Sequence, residues 1–292
     1  MKFVELIIII TVSNQNLNQK LKEYNVDICT TSIGAQNLTY IKTQIIDIIK
    51  TSELNKKVLI IMCCENGEKI SSQFKKEIIK NYKFNEKFIY FVDVMVDRIV
   101  PDQEMNNLDI EVEKYYSWIV DTNQWPKEIE KLDALTYSKN IDAEICKKVW
   151  LLNGGHASLS WASYRLNKFN SPFTYESLKI KELKSFLLSY LEEVGLIFSN
   201  YFNYDILEVK KIINEILKRF ENPYIKDNLE RVGRNLYLKL QLNERILKPL
   251  FIGLCLNLKT LNIRKSILNV IEYLNPNDLD GKKLVEMQKK II

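Results

Sequence analysis

The sequence predicts an α/β unit followed by an all-α unit. Short β-branched apolar runs alternate with amphipathic stretches through the first half, the rhythm of a parallel sheet with crossover helices. From about Asp142 onward, long helical periods replace them. Between the two lies 123–140, a weakly periodic stretch containing Pro126, and it predicts a seam that divides the chain into 1–138 and 139–292.

Taken in order, 6–12 reads as a strand, 17–24 as a helix or helical turn, and 26–32 as a strand ending near Gly34. A helix is expected over 39–50, then the apolar strand 58–64, a helix over 71–81 and a strand over 88–94. The run 112–120 fits a strand or a helix, because its periodicity does not separate the two. Candidate helices follow at 143–152, 175–200, 206–220, 224–240, 243–257 and 264–274. Pro223 and Pro249 stand near the starts of two of them, where a missing N–H costs little. Asn275 followed by Pro276 marks the end of another.

Composition narrows the function classes. With 46% hydrophobic and 27% charged residues, the 292-residue chain can bury a sizeable core and is not a disordered protein. A net charge of +5, from 42 basic and 37 acidic residues, suits an anionic small molecule and lacks the concentrated basic stripe of a nucleic-acid binder. Cys29, Cys63, Cys64, Cys146 and Cys255 have no paired spacing, so neither a disulfide framework nor a zinc site is expected. Adjacent Cys63 and Cys64 read as small strand residues. The apolar run 4–12 is interrupted by Glu5 and is too short to span a bilayer, so no membrane association is expected and the protein is placed in the cytoplasm. The oligomeric state stays open, a monomer included.

Four constellations carry chemistry. The first is the run 89–101, Ile-Tyr-Phe-Val-Asp-Val-Met-Val-Asp-Arg-Ile-Val-Pro, which on physics alone is a buried strand ending in an Asp97–Arg98 ion pair and stopped by Pro101. The second is 148–156, Lys-Val-Trp-Leu-Leu-Asn-Gly-Gly-His. Oxidation of a secondary alcohol needs a base for the hydroxyl proton and donors for the alkoxide-like oxygen, and a desolvated lysine can be that base. On an ideal helix Asn153 and His156 sit about 60° apart with Lys148 about 80° beyond His156, a broad face. Gly154 and Gly155 imply a distorted turn or a close backbone approach. Taken singly, Lys148 could be a solvated charge and His156, the only histidine, a structural residue.

The third constellation is Asn66 after the run ending at Cys64-Glu65, where an amide at the carboxyl end of a strand can point into a ligand crevice; a turn before Gly67 is the plainer reading. The stretch 26–34 before it, with Thr31, Ser32 and Gly34, ends another strand. The fourth is the basic block 219–250. Its plainer reading is a capped helix with a solvated face, but Arg231 and Arg234 one turn apart, with Lys239 further along, could also hold an anion.

These residues resemble the mannitol dehydrogenase family, the polyol-specific long-chain dehydrogenases. The run 89–101 matches the family signature position by position, and the similarity extends from about Val12 to Leu250. The resemblance implies an incomplete Rossmann-type domain followed by a helical substrate domain, with the active site in the cleft between them. It implies Lys148 as general base, with Asn66, Asn153 and His156 holding the reacting oxygen. It implies Thr31, Ser32, Gly34 and Glu65 beside the cofactor NAD, Asp97 and Arg98 at the substrate, and zinc-free chemistry. The block 219–250 is closest to the branch that works on a sugar phosphate, converting mannitol 1-phosphate to fructose 6-phosphate. Arg231, Arg234 and Lys239 would then serve the phosphate. Leu236 and Leu238 depart from that branch, where Pro and Arg are usual.

One family feature has no counterpart. The eight glycines (34, 67, 154, 155, 195, 233, 253 and 281) form no G-x-G-x-x-G, the turn that takes a dinucleotide pyrophosphate. The expectation is therefore a chain that starts inside the first domain, binds NAD weakly and turns over little. Three readings stay open: a longer, active gene product, an inactive remnant, or a sugar-phosphate-binding module without redox activity.

Overall fold

The computed structural model describes residues 26–100 and 110–289. The strand expected at 6–12 and the helix or helical turn expected at 17–24 lie outside the described residues. The chain folds into two compact units, Met1–Val96 with Ser117–Asp142 and Asp97–Tyr116 with Ala143–Ile292.

The first unit is α/β. Strands β1 (Ile28–Thr31), β2 (Leu59–Cys63) and β3 (Ile89–Phe91) pair in parallel in that order, with Thr31 opposite Cys63 and Ile61 opposite Phe91. A 3₁₀ turn, Ala35–Ile41, leads into helix α1 (Lys42–Leu54), and α2 (Ile70–Ile79) connects β2 to β3. All five residues of β2 are buried, as a parallel strand covered on both faces requires. Its alternating side chains serve two cores. Leu59, Ile61 and Cys63 pack with Ile45 and Ile49 of α1 and Phe74 and Ile78 of α2. Ile60 and Met62 pack on the other side with Val92, Val120, Trp125 and Leu135.

The expected strand 88–94 is cut in two. After β3 the chain steps into β4 (Val94–Asp97), which adjoins β5 (Ser117–Asp121), and β5 pairs in parallel with β6 (Thr136–Ser138). Val92 N still donates to Ile61 O at 3.0 Å, whereas Asp93 O accepts from Asp121 N at 3.0 Å, so the handover falls at one peptide. The buried Asp93 carboxylate accepts Ser72 N at 2.8 Å and Gln124 Nε2 at 2.9 Å, at the positive end of α2. The ambiguous run 112–120 contributes a strand, and β6 lies inside the stretch that showed no period, because three residues are too few to display one.

The second unit is helical. Chain 141–167 runs without a break through α3 (Ile141–Cys146), a π-helix (Lys147–Asn153) and α4 (Gly154–Asn167). The expected helix 175–200 is split into α5 (Thr174–Ser177) and α6 (Lys181–Phe202), and α7 (Ile206–Phe220) matches its expectation. The helix expected at 224–240 does not form. Two short pieces, α8 (Leu229–Gly233) and α9 (Leu236–Lys239), stand in its place. Arg234 is extended and Asn235 left-handed with φ 64°, which ends any helical ladder between them. Then come α10 (Leu247–Cys255), with Pro249 in its first turn, α11 (Leu261–Ile271) and α12 (Leu279–Lys289), the last of these unforeseen. Trp150, Trp161, Tyr190, Phe198, Phe220 and Tyr273 are fully buried and form the bulk of this core. Among the described residues, no helix is long and apolar enough to cross a membrane.

Candidate active site

The π-helix reshapes the constellation 148–156. Its hydrogen bonds run from residue i to i+5, so residues five apart come nearer to one face than they do on an α-helix. Lys148 and Asn153 are such a pair, both half-buried, and His156 follows in the first turn of α4. The broad face expected from ideal α-helical spacing is thereby narrowed. The two glycines after Asn153 explain how the wider turn fits. A Cβ on Gly154 would meet Tyr190 Oη at 2.6 Å and Arg245 O at 3.1 Å, and one on Gly155 would meet Leu191 Cδ2 at 2.9 Å. Both alternatives implied by the glycines, a distorted turn and a close approach, are realised together.

Burial pushes the Lys148 ammonium below the usual lysine range; Asp97 opposes this, and Arg245 and Arg219 reinforce it. His156 is buried and stacks on Phe220, with ring centroids 4.0 Å apart and planes 13° off parallel. Burial pushes its imidazole down to about 4, against the pull of Asp227. Its Nε2 makes no hydrogen bond among the described residues, and Asp227 Oδ2 lies 3.4 Å away.

Asp97 does not pair with its neighbour Arg98. Both its oxygens accept from Arg219, Nη1 and Nη2 each at 2.8 Å, and the same guanidinium reaches Glu113 through Nε at 3.0 Å and Nη2 at 2.6 Å. Burial disfavours the Arg219 charge, but the two carboxylates outweigh this and hold it protonated. Arg98 is exposed, donates from Nε to Glu113 O at 3.1 Å and lies over the Tyr116 ring.

Arg231, on α8, donates to Asp227 Oδ1 and lines an open cavity of about 430 Å³ with Asn228, Glu230, Arg234, Asn277 and Asp278. Arg234 is exposed there. Lys239 is buried instead, its Nζ donating to Val232 O and Arg234 O, and burial together with Arg245 pushes it down to about 7. The structure thus brings Arg231 and Arg234 to one cavity, while Lys239 braces the backbone behind them.

In the first unit, Thr31, Gly34 and Glu65 meet after β1 and β2. The Glu65 carboxylate accepts from Thr31 Oγ1 at 2.8 Å, Ile33 N at 2.9 Å and Gly34 N at 2.8 Å, bracing the loop. Gly34 has φ 90°, which disfavours any side chain there. Ser32 and Asn66 are exposed at the same carboxyl end of the parallel strands.

Two family models cover the chain: the mannitol dehydrogenase Rossmann domain over residues 4–133 and the mannitol dehydrogenase C-terminal domain over 140–291. The chain belongs to the mannitol dehydrogenase family. Among relatives of this family member, the mannitol-1-phosphate 5-dehydrogenase of Mycoplasma mycoides subsp. mycoides SC is 40% identical over 262 residues, 89% of this chain and 79% of its own length. That of Buchnera aphidicola subsp. Acyrthosiphon pisum is 33% identical over 290 residues, 96% of this chain and 74% of its own. The fold matches the Pseudomonas fluorescens mannitol 2-dehydrogenase, solved as a ternary complex with NAD and D-mannitol. Here the TM-score is 0.64 at 15% identity over 93% of this chain and 66% of that one. It also matches a D-sorbitol dehydrogenase in substrate-free form, with TM-score 0.67 at 14% identity, over 92% of this chain and 64% of that one.

In this member of the mannitol dehydrogenase family, sequence patterns alone give no role to Arg219, Glu113, Asp227 or Phe220. Each acts through a contact tens of residues away, with no local period to reveal it. The one signal within reach is that Arg219 and Asp227 sit inside the basic block as a cation and an anion placed on either side of Pro223.

Proposed function

We propose that this chain is an NAD-dependent oxidoreductase interconverting D-mannitol 1-phosphate and D-fructose 6-phosphate. The observation that supports the reading is a lysine, Lys148, whose charge burial disfavours, on the same π-helix as Asn153, with His156 in the first turn of the helix that follows. A lysine whose charge is disfavoured by burial accepts the hydroxyl proton near neutral pH. Asn153 and His156 hold the reacting oxygen, and Asn66 is the proposed further amide. Asp97 keeps lone pairs for a polyol hydroxyl after its bidentate pair, and Arg98 flanks it. Arg231 and Arg234 take the phosphate, braced by Lys239.

Thr31, Ser32, Gly34 and Glu65, on a loop that the Glu65 carboxylate braces at the carboxyl end of a parallel strand, would lie beside the nicotinamide. NAD supplies the hydride acceptor when bound. We place the protein in the cytoplasm, where its five free thiols stay reduced.

The test is NADH oxidation driven by fructose 6-phosphate with the purified chain and its Lys148→Ala variant. Dependence on the phosphate ester and on Lys148 supports the reading. Sugar-phosphate binding without any turnover favours the module without redox activity instead. Turnover at a normal rate with tight NADH binding overturns the expectation of a weak dinucleotide grip. An unchanged KM for fructose 6-phosphate in Arg231→Gln and Lys239→Gln removes the phosphate assignment.

A further inference from the structure

We infer that Asp227 is a positioning residue that fixes the His156 imidazole and couples it to the Arg231 guanidinium at the cavity. The backbone that carries the carboxylate is held in place. Asp227 is buried, its backbone oxygen accepts from Thr174 N at 3.1 Å and Thr174 Oγ1 at 3.0 Å, and the next residue, Asn228, caps α8 by accepting from Glu230 N at 2.8 Å. The imidazole lies flat on Phe220, so it can make polar contacts only in its own plane. Asp227 Oδ2 lies 3.4 Å from Nε2, too far off line for a hydrogen bond but close enough for its charge to act on that nitrogen. A carboxylate beside a neutral imidazole favours the tautomer with the proton on the facing nitrogen, since the alternative sets a lone pair against a negative oxygen. The charged groups around the ring are Asp227, Arg231, Arg219 and Lys239, and the imidazole stays neutral among them.

The other carboxylate oxygen accepts from Arg231 Nη2. One buried carboxylate is therefore shared between the ring that holds the reacting oxygen and a cation lining the 430 Å³ cavity. An anion arriving there competes for the guanidinium and returns charge to the oxygen facing the imidazole. This coupling rests on the sugar-phosphate reading above, whereas the positioning of His156 by Asp227 does not.

The chain contains one histidine, so isotope-labelled histidine yields the imidazole nitrogens of His156 alone in a magnetic-resonance spectrum. The expected result is a protonated Nε2 at neutral pH, with the tautomer mixed or reversed in Asp227→Asn. Arg231→Gln should also move both signals, and it provides the readout should Asp227→Asn not fold. Added inorganic phosphate should shift the signals in the unmodified chain and leave them in place in Arg231→Gln. Signals unmoved in either variant overturn the positioning, and signals unmoved by phosphate overturn the coupling. Because no turnover is read, failure of the dehydrogenase reading would show separately, as a positive spectrum with no fructose 6-phosphate reduction.

Discussion

Arg219 presents Nη1 and Nη2 to the two oxygens of Asp97 at 2.8 Å each, 122 residues apart in the chain. Glu113 takes the remaining edge, and the side chains of Arg219, Asp97 and Glu113 are only 9%, 9% and 2% exposed. Asp97 and Glu113 are in this way both tied to the end of α7. Removing one member of such a buried set leaves uncompensated charge and costs about 3–5 kcal/mol. Arg219→Met should therefore lower the urea midpoint by a corresponding amount. An unfolding free energy within about 1 kcal/mol of the parent would mean that the three groups contribute only as a surface pair does.

Lys148→Ala should reduce turnover by about 10²–10⁴-fold, the usual worth of a positioned base, with circular dichroism unchanged. The sign of the pH dependence follows from burial. Alcohol oxidation needs the neutral amine, so its rate should rise with pH and level off below the ordinary lysine range. Ketone reduction needs the ammonium, and its rate should fall over the same span. A pH profile without either limb in the parent chain would remove the lysine from proton transfer.

Stability should drop on the acid side through His156. Its folded imidazole sits at about 4 against about 6.5 unfolded, so between those values the unfolded chain binds more protons. The contribution is fully present above pH ~6.5 and is lost as pH falls toward 4, about 3 kcal/mol in order of magnitude. Urea melts at several pH values should show a shallower acid slope in His156→Gln than in the parent. Equal slopes would sink the assignment.

Gly154→Ala should cost about 1–3 kcal/mol, because its Cβ would stand 2.6 Å from Tyr190 Oη and 3.1 Å from the Arg245 carbonyl oxygen. The π-turn before it should shift as well, so activity should fall more than in a control helix substitution such as Lys211→Ala. Unchanged melting temperature and rate would show that the contact relaxes freely.

Much of this was legible in the residues themselves. β2 showed as an unbroken apolar run because a parallel strand buried on both faces has no polar side to display. α7 showed its full length because its apolar side chains recur on one face and Asp205 caps it by accepting from Leu207 N at 2.8 Å. Lys148, Asn153 and His156 could be named as candidates because one short stretch carries them and resembles the family motif.

Tertiary structure alone decided the rest. No local pattern could reveal that Lys147–Asn153 winds as a π-helix, or that Tyr190, Leu191 and Arg245 crowd the two glycines that follow it. The run 224–240 has helical composition, yet it breaks at Arg234 and Asn235, where Gly233 must pack within reach of Ser160 and Tyr273. The partners of Asp97 and His156 are likewise matters of packing. Periodicity reports which side of an element faces inward, whereas a buried charge is satisfied by whatever distant group the fold delivers to it.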